Sequence, residues 1–262
     1  MPDNSIRVVA RGDDIGSFHS ANRAAEEITT QGICRNLSVL AVAPHVAEAA
    51  QLFAGRRDLC IGLHLTINGE WAESPWKSVS PAEKVPSLVD DGGFLLKTPN
   101  LTHSRGVVFT EITTELTAQL ALLRRLGFDV AYADTHMSFG WLFEGADDSK
   151  RLEGVMEQWA RSEGLLYVNT MPGLAWLPEP KKHTGDPVSM FISQLDDLQP
   201  GTYVHVVHPA FDDGEMRKLT LHGHDVAKTR DWDRRQFSDQ AVVRFFRERD
   251  IRPATYREAA GA

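Results

Sequence analysis

Two adjacent carboxylates, Asp13 and Asp14, follow a short apolar run, Ile6 to Ala10, in the stretch IRVVARGDDIGSFHSAN. Gly16 and a polar turn come next, and then a helical pattern begins. A strand that delivers neighbouring acids to a glycine-marked turn suits a site at strand ends better than a surface loop. One acid of such a pair can hold a divalent ion while the other moves a proton, which is the chemistry of a metal-dependent hydrolase. Three later runs end in residues that complete such a set: His64 in LCIGLHLT, Asp134-Thr135-His136 after VAYA, and His208 before Pro209. A divalent ion with open positions takes imidazoles plus a carboxylate and leaves room for water and a substrate oxygen. Asp13 and Asp14 suit the carboxylate roles, His64 and His136 the imidazole ligands, and His208 the acid that protonates a departing amine.

The elements that must position these residues are legible from periodicity. Runs rich in β-branched residues, Ile6 to Ala10, Asn36 to Val42, Leu59 to Thr66, Val130 to Asp134, Leu165 to Val168, Thr202 to Val207 and Ile251 to Ala254, alternate with helical patterns. Those patterns cover Ser20 to Gln31, Val46 to Ala54, Phe109 to Leu126, Ser149 to Glu163, Pro187 to Leu198 and Ser238 to Arg249. The cadence indicates parallel strands with crossover helices. About seven strand–helix units in 262 residues predict one (β/α) barrel spanning 1–262, with chemistry where strands end and βα loops begin. Asn68 to Gly106 breaks the cadence with Trp71, Trp76, several prolines and Asp90-Asp91-Gly92-Gly93, so it is expected to be a long βα-loop insertion. Its aromatics suit either a sugar-binding rim or a packed excursion. Pro172, Pro178 and Pro180 predict no regular structure over Thr170 to Asp186, and Ala210 to Thr229 is also expected to be loop.

Composition narrows the partners. Hydrophobic residues make up 42% and charged residues 24%, which is ordinary globular usage and excludes a disordered chain. A formal charge of −8 offers no footprint for nucleic acid or an anionic membrane. No segment approaches the roughly 18 apolar residues of a membrane helix, and no basic and apolar leader opens the chain, so a cytoplasmic protein is expected. The two cysteines, Cys34 and Cys60, are too few for a disulfide framework and read as buried structural thiols.

The segments ARGDDIG, GLHLT, DTHMSFG and VHPAFDD, in that order, resemble the successive motifs of the YdjC-like carbohydrate deacetylases, the ChbG/HpnK family. The closing segment from Arg230, RDWDRRQFSD to IRPATYRE, is similar to that family's C-terminal helix and strand. The resemblance implies a distorted (β/α) barrel that removes N-acetyl groups from an amino sugar or small oligosaccharide with one divalent ion, magnesium or zinc. It makes Asp13 the general base, His208 the general acid, and Asp14, His64 and His136 the metal ligands, and it suggests a homodimer. Two departures bear on substrate identity. His136 is followed by Met137, Ser138 and Phe139 rather than further histidines, and Arg11-Gly12 stands where the family carries an asparagine before the acids.

Other residues are set aside. His205, three before His208, faces away from it on a strand and reads as a core residue. His222-Gly223-His224 reads as a surface or rim segment, and His19, His45, His103 and His183 as surface or cap residues. Phe139 and Trp141 suit sugar stacking or core packing equally. Arg230 and Asp233 are expected as an ion pair beside the site, with the arginine orienting a carboxylate. Two other functions fit the same barrel: a phosphoesterase or cyclic-amide hydrolase, and a non-catalytic sugar-binding protein. The first class more often opens with His-x-His on its first strand, where this chain has Asp-Asp.

Overall fold

A computed structural model describes residues 5–97, 106, 108–137, 146–177, 185–219 and 225–261. Phe139, Trp141, His103, His183, His222 and His224 lie outside the described residues. The strands are β1 (Ile6–Ile15), β2 (Asn36–Val39), β3 (Cys60–Leu65), β4 (Val130–Thr135), β5 (Leu166–Tyr167), β6 (Ala175–Trp176), β7 (Gly201–Val207) and β8 (Ile251–Pro253). The helices are α1 (His19–Thr30), α2 (Val46–Phe53), α3 (Phe109–Arg125), α4 (Ala146–Ser162), α5 (Pro187–Asp196), α6 (Val226–Ser238), α7 (Gln240–Glu248) and α8 (Tyr256–Ala260).

Every pairing between these strands is parallel, in the order β5-β4-β3-β2-β1-β7-β6, with β8 beside the start of β1. Among the described residues β5 and β6 do not pair, so the expected (β/α) barrel is distorted and incompletely closed. Strand alternation divides its contents. Val8 and Ala10 on β1 join Leu37, Leu63 and the inward stripes of the helices in the outer core. Val9 joins Tyr132, Val204 and Tyr256 in a smaller cluster on the opposite face, inside the curl. Arg11 and Asp13 continue the inner row, because residues two apart on a strand share a face. Gly62 on β3 makes room for this inner cluster: a Cβ there would lie 2.2 Å from the Tyr132 ring.

Three expectations need correction. The stretch Thr170 to Asp186 holds β6, whose Trp176 pairs with Val204, although its prolines argued against regular structure. A two-residue strand is too short to leave a periodic signal. The loop expected up to Thr229 gives way to α6 at Val226, where the Asp225 side chain caps the helix by accepting from the Lys228 backbone N–H. A polar composition hid that helix: it buries Arg230, Asp233 and Gln236 beside Val226, Ala227, Trp232 and Phe237. β1 also runs past Ala10, through both acids to Ile15, with a shift in its register against β2 between Gly12 and Ile15.

The insertion after β3 is packed rather than a rim. Trp71 and Trp76 are almost fully buried. Glu115 and Gln119 of α3 anchor this region. Glu115 accepts from the Val79 and Ser80 backbones at 2.9 Å each, and Gln119 donates to the Thr66 carbonyl at 2.6 Å.

Candidate active site

The C-terminal ends of β1, β3 and β4 bring the acids and imidazoles together. His64 and Asp134 are register partners on neighbouring strands, which sets their side chains side by side. His64 Nδ1 lies 2.7 Å from Asp134 Oδ2, so its Nε2 turns the other way, 3.4 Å from Asp14 Oδ1. His136 follows the end of β4, held by its backbone N–H on the Leu65 carbonyl at 3.1 Å, and its Nδ1 is 3.1 Å from Asp14 Oδ1. The two imidazoles meet edge to face at 5.1 Å, and Trp76 packs on His136 at 5.5 Å.

Asp14 reaches this position through an unusual backbone. Its φ is +61°, the left-handed region, which aspartate tolerates better than most residues but at a cost of about 1 kcal/mol. The turn is locked by Ser17, whose N–H and hydroxyl both donate to the Asp14 carbonyl, and by Gly16 at φ +94°, whose N–H donates to Asn22. Arg230 on α6 donates from Nη2 to Asp14 Oδ2 at 2.7 Å, leaving Oδ1 toward the histidines. Burial would raise the Asp14 carboxyl, but Arg230 and His136 outweigh it and hold the group well below the usual range.

Asp13 faces the inner row and is gripped from below. Arg11 donates from Nε and Nη2 to its two oxygens at 2.7 and 2.8 Å. The same guanidinium lies 3.2 Å from Asp134 and donates to the Tyr256 hydroxyl at 3.0 Å. Asp13 Oδ2 stands 3.9 Å from His64 Nε2. Burial opposes a charge on His64, yet Asp134 and Asp13 push its imidazole up to about 10.

Two clusters could hold a metal among the described residues: Asp14 with His64 and His136, and Asp13 with His64 and Asp134. Arg11 already lies against both acids of the second. The first fits a small ion. Ligands about 2.0–2.2 Å from a tetrahedral ion sit about 3.3–3.6 Å apart, comparable to the 3.4 and 3.1 Å from Asp14 Oδ1 to the two histidines. His64 Nε2 is also buried with no hydrogen-bond partner, which a ligand on that atom would explain.

His208 lies just past the end of β7, half-buried, one step beyond the Gly12–Val207 register pair and therefore level with Asp13. Its backbone N–H donates to Asp233 Oδ2 at 3.0 Å. Asp233 thus fixes the backbone of His208, while Arg230 orients the Asp14 carboxylate. His205 is buried on the other face, stacked on Phe191 at 4.6 Å with Nε2 2.9 Å from Gln236. His19 is exposed beside Glu48, and His45 precedes α2 without a side-chain cap.

Arg11, Asp134 and Glu70 carry weight that sequence reasoning did not assign to them. Arg11 stands two residues before Asp13 on β1, so period-two spacing was the signal, and Asp134 stood in the strand-end run Asp134-Thr135-His136 without a role of its own. Glu70 lies in irregular chain and offered none.

The fold and the site together define an α/β barrel protein with a candidate one-metal centre at its strand ends. The family model described as YdjC-like protein matches residues 7–248, and the chain belongs to that family. A carbohydrate deacetylase of Thermoanaerobacter pseudethanolicus is 24% identical over 266 aligned residues, covering 95% of this chain and 97% of that protein. A carbohydrate deacetylase of Enterococcus faecalis is 26% identical over 131 residues, about half of each chain (50% and 48%). The fold also matches the crystal structure of an Enterococcus faecalis V583 protein named for cellobiose-phosphate cleavage. The TM-score is 0.77 at 21% identity, covering 97% of this chain and 99% of that one.

Proposed function

We propose that this chain is a metal-dependent hydrolase that removes N-acetyl groups from an amino sugar or small oligosaccharide. The observation that carries it is the convergence of Asp14 Oδ1, His64 Nε2 and His136 on one small space with a second acid, Asp13, beside it. The relatives named carbohydrate deacetylase support the choice of substrate.

Asp14, His64 and His136 would hold the ion. Two nitrogens and one oxygen favour zinc over magnesium, which prefers oxygen ligands. Bound there, such an ion supplies a polarised acetyl carbonyl and a more acidic water. Asp13 takes a proton from the attacking water. Its two oxygens keep lone pairs free even with Arg11 attached, because a carboxylate can accept about four hydrogen bonds. His208 gives a proton to the amine nitrogen. The water oxygen bonds to the acetyl carbon, the C–N bond breaks, and acetate and the free amino sugar leave. Arg11 and Asp134 keep Asp13 and His64 in register throughout.

The direct test is acetate release from N-acetylglucosamine oligomers by protein supplied with zinc, compared with chelator-treated protein. Zinc-dependent acetate release is expected. Phosphate release from sugar phosphates without any acetate release would favour the phosphoesterase, and sugar binding with no turnover would favour the binding protein.

A further inference from the structure

We infer that Trp176 is a sugar-contacting residue whose indole stacks on the pyranose ring that carries the N-acetyl group. This deepens the deacetylase proposal and rests on it for the direction in which the sugar extends from the reacting amide.

A single exposed apolar side chain is ordinary on a protein surface. Trp176 differs in where it stands. It is 51% exposed, more than any other large hydrophobic residue among those described, yet it belongs to strand β6 rather than to a surface loop. Its pairing with Val204 of β7 puts it on the face that lines the inside of the curl, because Val204 belongs to the inner cluster with Val9, Tyr132 and Tyr256. From there the ring reaches the Arg11 guanidinium, whose central carbon lies 5.9 Å from the ring centroid. Arg11 in turn donates to the two oxygens of Asp13 at 2.7 and 2.8 Å. A single side chain therefore separates an open indole from the acid assigned as base. Tyr256 lies against the same guanidinium at 6.0 Å and is fully buried. Contact with the cation thus does not require an exposed ring, and the open part of Trp176 is left for another partner.

The strand order says what approaches it. Asp14 and His64 stand on β1 and β3, and His136 follows β4, while His208, assigned to the amine, follows β7. Passing from the acetyl oxygen to the amine nitrogen is therefore passing across the sheet toward β7. The sugar borne by that nitrogen continues toward β6, the next strand and the last on that side among the described residues. On β7 the inner row rises from Val204 through Val206 to His208, so the indole and the imidazole border the same side of the curl. A pyranose presents a face of C–H groups and a rim of hydroxyls. The electron-rich face of an indole attracts those C–H groups, and its rigid surface covers them at little cost in conformational entropy.

Trp176→Ala and Trp176→Phe, both loaded with zinc, separate this contact from a role in holding Arg11. Acetate release from N-acetylglucosamine oligomers is followed over a range of concentrations, and binding of the deacetylated product, glucosamine oligomers, is measured by calorimetry. Trp176→Ala should raise KM and the product Kd about fivefold, with kcat changed less than about threefold. Trp176→Phe keeps a smaller aromatic face and should stay within about threefold of wild type in all three. A loss carried by kcat rather than by KM and product binding would overturn the contact and make Trp176 a positioning residue that acts through Arg11 on Asp13. Wild-type KM and product binding in Trp176→Ala, alongside acetate release, would overturn it while the deacetylase proposal stands. Should wild-type protein release no acetate yet bind the oligomers in a Trp176-dependent way, the deacetylase proposal fails and the sugar contact stands. Neither turnover nor sugar binding in wild type removes both. If Trp176→Ala does not fold, Trp176→Leu keeps apolar bulk without a ring and should show the same rise in KM and product Kd.

Discussion

The site has two halves of different construction. The inner half, Arg11, Asp13, His64 and Asp134, stands on β1, β3 and β4, and each of its charged groups touches one of opposite sign within 3.2 Å. The outer half, Glu70, His136, Arg230 and His208, stands on loops, strand ends and α6, and leaves Glu70 Oε2, His136 Nε2 and Arg230 Nη1 without hydrogen bonds, where the inner half leaves Asp134 Oδ1 and His64 Nε2. Strands deliver side chains at fixed spacing, so charges placed there can be paired during folding. Groups carried on loops can stay open for what arrives. The difference lies in how each half is held, by ion pairs between neighbouring strands in one and by groups on strand ends, a loop and α6 in the other, and His64 Nε2 is the point where the two halves meet.

That division can be broken from either side. The largest effect is expected from removing an ion-facing imidazole. His64→Ala and His136→Ala should each purify with little bound metal, and full metal content in both by elemental analysis would refute the ligand set. Asp13→Asn should keep its metal yet lose about 10²- to 10⁴-fold in turnover, the usual scale for a lost general base. Near wild-type acetate release from that variant would remove Asp13 from the chemistry. Asp134→Asn probes the paired half without touching the ion, and metal affinity, followed by competition with a chelator, should fall about 10- to 100-fold. An unchanged affinity would mean that the 2.7 Å contact with His64 is incidental.

Smaller effects sharpen the comparison. Burial would raise the Asp134 carboxyl, but Arg11 and His64 outweigh it and hold the group below its ordinary value. A depressed folded value means stability that is present above the unfolded value of about 3.9 and is lost as pH falls toward the folded one. Acid unfolding of the metal-free protein should therefore set in below about pH 4. Asp134→Asn should show a shallower loss in the same window, read by circular dichroism. The smallest effect concerns the cysteines. Burial pushes the Cys34 thiol up to about 12, and Cys60 is raised as well. Neither should react with a thiol reagent at pH 8 until the protein unfolds, and rapid labelling of native protein would contradict their burial.

Much of the fold was legible because the signals were local. The alternation of β-branched runs with helical patterns located seven of the eight described strands, and helix α3 shows Ile112, Leu116, Leu120 and Leu123 at helical spacing, all buried. β6 escaped because two residues carry no period. α6 escaped the periodic reading because it buries Arg230, Asp233 and Gln236 among its few apolar residues, so its buried face is not marked by apolar residues alone. The convergence of Asp14, His64 and His136 was legible for a simple reason. In a parallel barrel the strand ends share one rim, so finding the ends is enough to bring their residues together.

What the amino-acid sequence determined by itself is the set of chemical groups and the rim they occupy, since both follow from residue type and from period-two and helical spacing. The division of labour within that set belongs to the tertiary structure. Asp13 and Asp14 are neighbours in the chain whose side chains alternate along β1, and Asp14 adds a left-handed φ of +61° at the strand's end. Asp14 turns toward the histidines and Arg230, and Asp13 toward Arg11 and the inside of the barrel. Trp71 and Trp76 likewise became buried walls rather than an exposed rim, because α3 supplies Glu115 and Gln119 to fix the insertion. Glu70 met His136 only once the segment after β4 had folded against the insertion that follows β3. Such contacts join residues far apart in the chain, and no local spacing records them.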